Sequence, residues 1–428
     1  MNYNRNEKIM QIQEDTLIIG VDIAKRTNYA RAQDARGLDL AKALKFDNCY
    51  AGFLALLQWI QDLKESFAKT NVIVGMEPTG HYWLPLAYML KDHDLPVVAV
   101  NPMHVNRSKE LDDNSPSKND VKDAKVIAQL VKDGRYSAPN LPEGVYAELR
   151  QGMNIHESLT KRLNMVKAKT INWLERYFPE FTDVFKDWEG KAALQVLQLN
   201  KLPHELAGMN DDTILTEVKK HVSRGVGPKR MRALKEAAQK SIGIRTGSRM
   251  AKRELNLLLK EYHQLTQELH DLEDELTELI QPIPGAKQML EMKGLGLITV
   301  AGFFSEVGDL RNYEHPRQLI KLAGLNLRRN ESGKHKGQTR ISKRGRRKLR
   351  ALLFRVALPL ASRNPAFQKL HVYYRNRADN PLTGKQSLVA LCCKLLKILF
   401  VMGKRQCDFD EERMIHDIPH FQDMQEAV

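Results

Sequence analysis

Between residues 16 and 140, short apolar runs alternate with stretches whose apolar positions recur every three or four residues. The runs at 17–21 and 72–76 are brief and unbroken, as expected of strands covered on both faces. Segment 28–33 predicts a hairpin partner for the first strand, 40–46 a third strand and 96–100 a further one. Phe53, Leu56, Leu57, Ile60 and Leu63 keep the helical period, so 53–67 reads as helix, as do 82–90 and 121–131. A strand hairpin followed by β-α-β-α order predicts a mixed sheet flanked by helices. The RNase H-like layout is one such arrangement, and the pattern alone suits other α/β sandwiches equally.

Beyond residue 145 the strand signal disappears. Leu159, Leu163, Val166, Thr170, Trp173 and Tyr177 keep helical spacing until Pro179 breaks it. Leu255, Leu258, Tyr262, Leu265, Leu269, Leu272, Leu276 and Leu279 alternate steps of three and four, an a/d heptad seam. Acids crowd its outer side, so this helix is expected to pair with another helix, in its own chain or in a second subunit, and not to lie on DNA. Helix 157–177 is the intrachain candidate, which makes 180–250 an insertion between two arms. The sequence around Lys293, Gly294, Leu295 and Gly296 resembles the glycine-rich turn of a helix-hairpin-helix, which lets backbone amides approach a phosphate; a ligand-free helical turn has the same pattern. These readings predict an α/β domain over 1–143, a helical coiled-coil region over 144–284 and a mostly α domain over 285–405. An acidic tail occupies 406–428.

Charge narrows the function classes. The 428 residues carry a formal net charge of +15, which points to a partner with repeating negative charge, nucleic acid first and an anionic membrane surface second. The basic residues are concentrated: residues 219–253 hold twelve Lys/Arg against Glu236, and 328–350 hold eleven against Glu331. No apolar stretch of about 20 residues stands out, so no membrane-spanning helix is expected, and the first residues lack the apolar core of a secretion signal. Cys49, Cys392, Cys393 and Cys407 form no CxxC pair. They read as core thiols of a cytoplasmic protein, without zinc or disulfides.

Against this basic background, four acids occupy suggestive positions. Asp22 closes the first apolar run and Glu77 the second, while Asp120 and Asp123 stand three apart at a helix start. Hard Mg²⁺ ions take carboxylate oxygens together with substrate phosphate and water, and a pair of them can stabilise both the attacking and the leaving oxygen at phosphorus. Each acid also has a structural reading: Asp22 as a turn cap, Glu77 as a cap for the helix near Tyr82, Asp120 as an N-cap with Asp123 at N3. His81 and Tyr82 follow closely, and packing at the helix start accounts for them. Ser332 lies among Arg328, Arg329, Lys334 and Lys336, where positive charge would favour an oxyanion; a turn serine before glycine is the plain alternative. Ser342 is expected to cap the helix near Gly345. Arg340, Lys343, Arg344, Arg346, Arg347 and Arg350 are expected to reach backbone phosphates. No Walker loop, zinc spacing, GxSxG elbow or Rossmann fingerprint occurs.

Taken together, these residues resemble the transposases of bacterial insertion-sequence family 110, the DEDD recombinases guided by a structured bridge RNA. The resemblance is carried by Gly20-Val21-Asp22, Glu77-Pro78-Thr79-Gly80, Asn101-Pro102, Asn119-Asp120-Val121-Lys122-Asp123, Gly294-Leu295-Gly296, Ala323-Gly324, Glu331-Ser332-Gly333 and Ser342-Lys343-Arg344-Gly345. It implies a RuvC-like N-terminal domain in which Asp22, Glu77, Asp120 and Asp123 hold one or two Mg²⁺ ions. It implies a C-terminal transposase domain in which Ser332 forms a phosphoserine link to DNA. Donor and target DNA duplexes, a guide RNA and a homodimer or tetramer joined through a coiled coil are its implied partners, with no membrane. Residues 180–250 do not map onto the compact members.

Two other readings stay open in the sequence. A RuvC-like structure-selective DNA endonuclease would use metal-activated water and leave Ser332 dispensable. A non-enzymatic scaffold would use the acids only as helix caps.

Overall fold

The computed structural model describes residues 5–108, 120–139, 141–222, 226–328, 331–332, 335–336 and 339–416. The chain forms two compact units, Met1–Glu143 with Arg311–Leu319, and Gly144–Leu310 with Ile320–Val428.

The first unit is a mixed α/β sheet domain. In chain order it contains α1 (Arg5–Met10), β1 (Thr16–Asp22), β2 (Thr27–Gln33), β3 (Leu44–Asp47), α2 (Tyr50–Ser66), β4 (Asn71–Met76), α3 (Leu84–Asp92), β5 (Val97–Val100), α4 (Pro102–Ser108), α5 (Asp120–Lys132) and β6 (Tyr136–Ser137). The sheet order is β3-β2-β1-β4-β5-β6. β1 pairs antiparallel with β2 and parallel with β4, and β4 pairs parallel with β5. β1 is therefore central and covered on both sides, which is why its sequence is an unbroken apolar run.

Period-two alternation divides its residues between two cores. Leu17, Ile19 and Val21, with Val72, Val74 and Met76 of β4, face Leu56, Ile60 and Leu86 of α2 and α3. Ile18 faces the other way, onto Val126, Ile127 and Val131 of α5, with Ile73 packed on the same cluster.

The second unit is mostly helical. It begins with the long helix α6 (Gly144–Tyr177), followed by α7 (Phe181–Val184), α8 (Lys191–Gln198), α9 (Pro203–Ala207), α10 (Asp211–Lys219) and α11 (Pro228–Gln239). A second long helix, α12 (Ser248–Ile280), leads to α13 (Ala286–Glu291) and α14 (Leu297–Val307). After α15 (Pro316–Leu322), which begins in the segment counted with the first unit, come the two-residue strands β7 (Leu327–Arg328), β8 (Glu331–Ser332), β9 (His335–Lys336) and β10 (Arg340–Ile341). The chain then runs through α16 (Arg347–Arg363), α17 (Pro365–Asn376), α18 (Gly384–Arg405) and α19 (Glu411–His416).

α12 pairs with α6 of its own chain, antiparallel. The Trp173 indole donates to the Ala251 carbonyl (2.9 Å) and Arg176 meets Glu254 (2.8 Å) at one end. His156 meets Glu273 (3.4 Å) and Gly152 abuts Leu276 at the other. The seam residues Leu255, Leu258, Tyr262, Leu265 and Leu276 are buried, while Leu269, Leu272 and Leu279 are half-buried. Helices α7–α11 form a cap on the Tyr177 end of this hairpin, with Phe178, Phe181, Trp188, Leu206 and Leu234 in its core.

α18 corrects one sequence expectation, because by length and composition it could cross a bilayer. Here half of it is buried, with Leu391, Leu395 and Leu399 in the core. Cys392 lies on that buried side, and burial pushes its thiol up to about 12. Cys49 and Cys407 are exposed, so they are not core thiols.

Glu157 on α6 ties the hairpin to α16. It accepts from Lys161 and Lys348, each at 2.7 Å, and these two hydrogen bonds hold its carboxyl at about 2 against an ordinary 4.5. A depressed carboxyl adds stability that is complete above pH 4.5 and drains away as pH falls toward 2. The side chain is 42% exposed, so solvent screening keeps the contribution to about 1 kcal/mol or less. Urea unfolding should show Glu157→Gln less stable than wild type at pH 6, with the gap closing by about pH 2. A gap that persists unchanged at low pH would refute the assignment.

Candidate active site

The acids are placed by the alternation that built the core. Asp22 lies two residues beyond Gly20 on β1, and Glu77 two residues beyond Gly75 at the end of β4. Gly20 pairs with Gly75, and Val21 with Met76, so the two acids end adjacent parallel strands one residue past the last parallel-paired position. Both belong to the face covered by α5. At Gly20 that helix comes so close that a Cβ would lie 2.1 Å from the Ala124 carbonyl oxygen and 2.4 Å from the Ala128 nitrogen. Ala124 follows Asp123 directly, and Asp120 lies one turn earlier, so both helix acids occupy the end of α5 nearest Asp22. Asp123 is buried (6% exposed), Asp22 and Glu77 are half-buried and Asp120 is exposed.

Asp22 and Glu77 thus lie at the carboxyl ends of parallel strands, the usual ligand edge of an α/β sheet, and Asp120 and Asp123 begin the helix whose first turns cover that edge. Among the described residues, however, no three His, Cys, Asp or Glu side chains already converge as a metal cluster. The chemistry of the donor set, carboxylate oxygens, suits a hard divalent cation such as Mg²⁺ and not a soft one.

The basic segment of the second unit forms a ribbon. β7 and β10 pair antiparallel, with Arg328 opposite Arg340 and Leu327 opposite Ile341. Directly opposed residues share a face, so the two arginines are placed on one side of the ribbon. β8 and β9 form a second small ribbon in which Ser332 pairs with His335. Arg329 and Lys334 lie outside the described residues. For Ser332 and Lys336 the description extends only to the backbone.

The four acids all fall within residues 19–179, which match a DEDD transposase family model of the IS110 type. Residues 286–372, including Ser332, match a second, described as "Transposase IS116/IS110/IS902 family". Together the two matches span more than half of the chain. The chain belongs to the IS110 family of transposases. It is 25% identical over 397 residues to the insertion element IS116 uncharacterized 44.8 kDa protein of Streptomyces clavuligerus, covering 92% of this chain and 96% of that one. It is 24% identical over 414 residues to the pilin gene-inverting protein of Moraxella bovis, covering 93% and 98%. This IS110-family protein is a DNA transposase/recombinase.

Several residues have different local roles from those expected. Ser342 does not cap a helix. Its hydroxyl donates to Asn326 Oδ1 (2.7 Å) and accepts from the Arg344 amide (3.3 Å), clasping the turn at 324–326, while α16 starts after Arg346 with no side-chain cap. Nor does Glu77 cap α3, whose N-cap is Trp83 with no side-chain hydrogen bond. Tyr82 packs on the sheet core, and the ring of exposed His81 lies tilted against it (ring centroids 4.3 Å apart, planes at 40°). Arg346 pairs with Glu306 (3.3 Å) and Arg350 donates to the Ala323 carbonyl (2.8 Å), so each has a contact within the fold. Arg328, Arg340, Lys343, Arg344 and Arg347 are exposed. The notch glycines were missed in the sequence, although the signal was there: both strand acids are preceded two places earlier by glycine.

Proposed function

We propose that this transposase cuts and rejoins DNA through Ser332, with Asp22, Glu77, Asp120 and Asp123 holding divalent metal, Mg²⁺ by their hard oxygen donors. The observation that carries the reading is the shared placement of the acids: two end neighbouring parallel strands, and two occupy the turn of α5 docked against Gly20. An RNase H-like, RuvC-like domain is the fold reading that this sheet order supports. When bound, the metal would neutralise charge on the scissile phosphate. The Ser332 oxygen bonds to phosphorus as the bond from phosphorus to a deoxyribose oxygen breaks; serine gives its proton to solvent, and the leaving oxygen takes one up to become a hydroxyl. Because the phosphoester is conserved, a hydroxyl from another strand can reverse the step, release serine and complete exchange. The Arg328–Arg340 ribbon places two exposed arginines on one face, which suits a backbone phosphate. The resemblance adds a guide RNA and a homo-oligomer joined by a coiled coil.

The test is chemical. DNA carrying the sequences that flank the gene, incubated with protein and Mg²⁺ and quenched with detergent, should yield a covalent protein–DNA adduct that maps to the Ser332 peptide and is absent in Ser332→Ala. If Ser332→Ala cuts at the wild-type rate while Asp22→Ala does not cut, hydrolysis by water replaces this reading.

A further inference from the structure

The helical cap contains a feature unrelated to the acids or the serine. Ile242 is 86% exposed, the most exposed large apolar side chain among the described residues. Isolated exposed apolar residues are ordinary, but two observations set this one apart. Its backbone is fixed: the Ile242 amide donates to Glu180 Oε1 (2.9 Å), the Ser241 hydroxyl to Glu180 Oε2 (2.6 Å) and the Ile244 amide to the Arg176 carbonyl (2.9 Å). Gly243 lies so close to α6 that a Cβ would be 2.1 Å from the Tyr177 carbonyl oxygen. The loop is clamped onto the end of α6 on both sides of Ile242, and the side chain is held outward. Ile244 (47% exposed) and Met250 (55%) extend the apolar surface.

The surroundings are cationic. From Ala237 to Arg253 there are five Lys/Arg and no acid. Lys240, Arg245, Arg249 and Arg253 are exposed, and Arg249 and Arg253 share a helix face. Three neighbouring acids are engaged, Glu180 by the loop itself, Glu254 by Arg176 and Glu205 by Lys252, while Glu175 and Glu236 are exposed. A fixed aliphatic tip inside a basic rim matches proteins that push Ile, Leu or Met between base steps in the DNA minor groove while cations hold the flanking phosphates. Single-stranded RNA is usually gripped by aromatic rings or guanidinium planes, and residues 237–253 contain no aromatic residue.

We infer that the loop at 240–247 is a second DNA contact, in which Ile242 wedges into a duplex and Lys240, Arg245 and Arg249 bind its backbone. This deepens the transposase reading by assigning the helical cap to substrate DNA and the bending of it. The test uses the full chain and a mixed-sequence DNA duplex of about 40 base pairs with a dye at each end, a length that exceeds a typical site. Wild type should bind and bring the dyes closer. Ile242→Ala should lose most of the bend signal and about five- to tenfold in affinity, with Ile242→Leu restoring both. Arg245→Ala with Arg249→Ala should reduce the salt slope of binding by about two. Unchanged bending and affinity in Ile242→Ala overturns the wedge. So does a loss confined to a hairpin RNA probe, or a change confined to oligomeric mass by light scattering. Wild type failing to bind duplex also overturns the wedge, whereas the Ser332 reading stands or falls separately on the covalent adduct, which a failure limited to Ile242 leaves intact.

Discussion

Asp22→Asn is expected to leave the transposase folded and bound to DNA while lowering strand cleavage by about a thousandfold or more, the scale of losing a charged group at a phosphoryl-transfer site. Asn keeps the shape and one oxygen but removes the negative charge, so an effect this large requires that the charge itself act. Asp22 is half-buried at the end of β1, opposite Tyr29 on β2, outside the apolar clusters on both sides of the sheet. Its thermal midpoint should therefore stay near wild type, and its anisotropy titration with duplex should change little. Asp15 provides the control. It sits just before β1, at the opposite end of the strand, and its carboxylate binds Asn71 (2.8 Å) and Thr70. Asp15→Asn should cost some stability and leave cleavage per folded molecule unchanged. If Asp22→Asn cuts labelled duplex at close to the wild-type rate, the acids are structural.

Much of the first unit was legible because its strands bury both faces, so their apolar character does not depend on knowing which side is inside. β1 and β4 lie almost where the unbroken runs placed them. The third strand shrank to Leu44–Asp47, leaving a single bridge from Gln33 to Asp39 at its expected start. β6 was invisible: two residues have no period, and Tyr136–Ser137 is a strand only because Val100 and Ala99 offer an edge. The heptad seam announced α12 and offered helix 157–177, part of α6, as its intrachain partner, but left a second subunit equally open. Seam spacing says that a helix is needed, whereas the choice of α6 rests on specific contacts, Trp173 with Ala251 and Gly152 with Leu276. The cap helices α7–α11 are short and interrupted, and their shared core draws on α6 and α12 as well, so no local window reveals it.

The candidate site was legible as a set of positions, not as a geometry. Acids at two strand ends and a helix start could be read from spacing; their common face could not, because it depends on which side of the sheet α5 covers. Among the basic residues the sequence treats all arginines alike. Arg346 and Arg350 look like their neighbours, yet Glu306 and the Ala323 carbonyl engage them. Serine is similarly ambiguous: Ser342 resembled a helix cap because a helix follows, but its hydroxyl is held by Asn326, sixteen residues earlier.

Gly20→Ala should be strongly damaging for a single added methyl group. The added Cβ would meet two backbone atoms of α5 at 2.1 and 2.4 Å, and backbone cannot rotate away as a side chain does. The helix must lift by an ångström or more, opening the packing of Ile127, Ala128 and Val131 against Ile18. Overpacking of this kind costs roughly 3 kcal/mol or more. Gly75→Ala supplies the comparison. Its Cβ would meet Val131 Cγ2 at 2.4 Å and Ile127 Cγ2 at 3.3 Å, both side-chain tips, so it should cost clearly less in urea denaturation. The lifted helix also carries Asp123, the residue before Ala124, away from Asp22. A misplacement near 1 Å is worth about a hundredfold in rate, so Gly20→Ala should lose cleavage even at temperatures where it remains folded. Equal stability in the two alanine variants, or full cleavage by folded Gly20→Ala, would mean that the approach of α5 to β1 does not set the position of the acids.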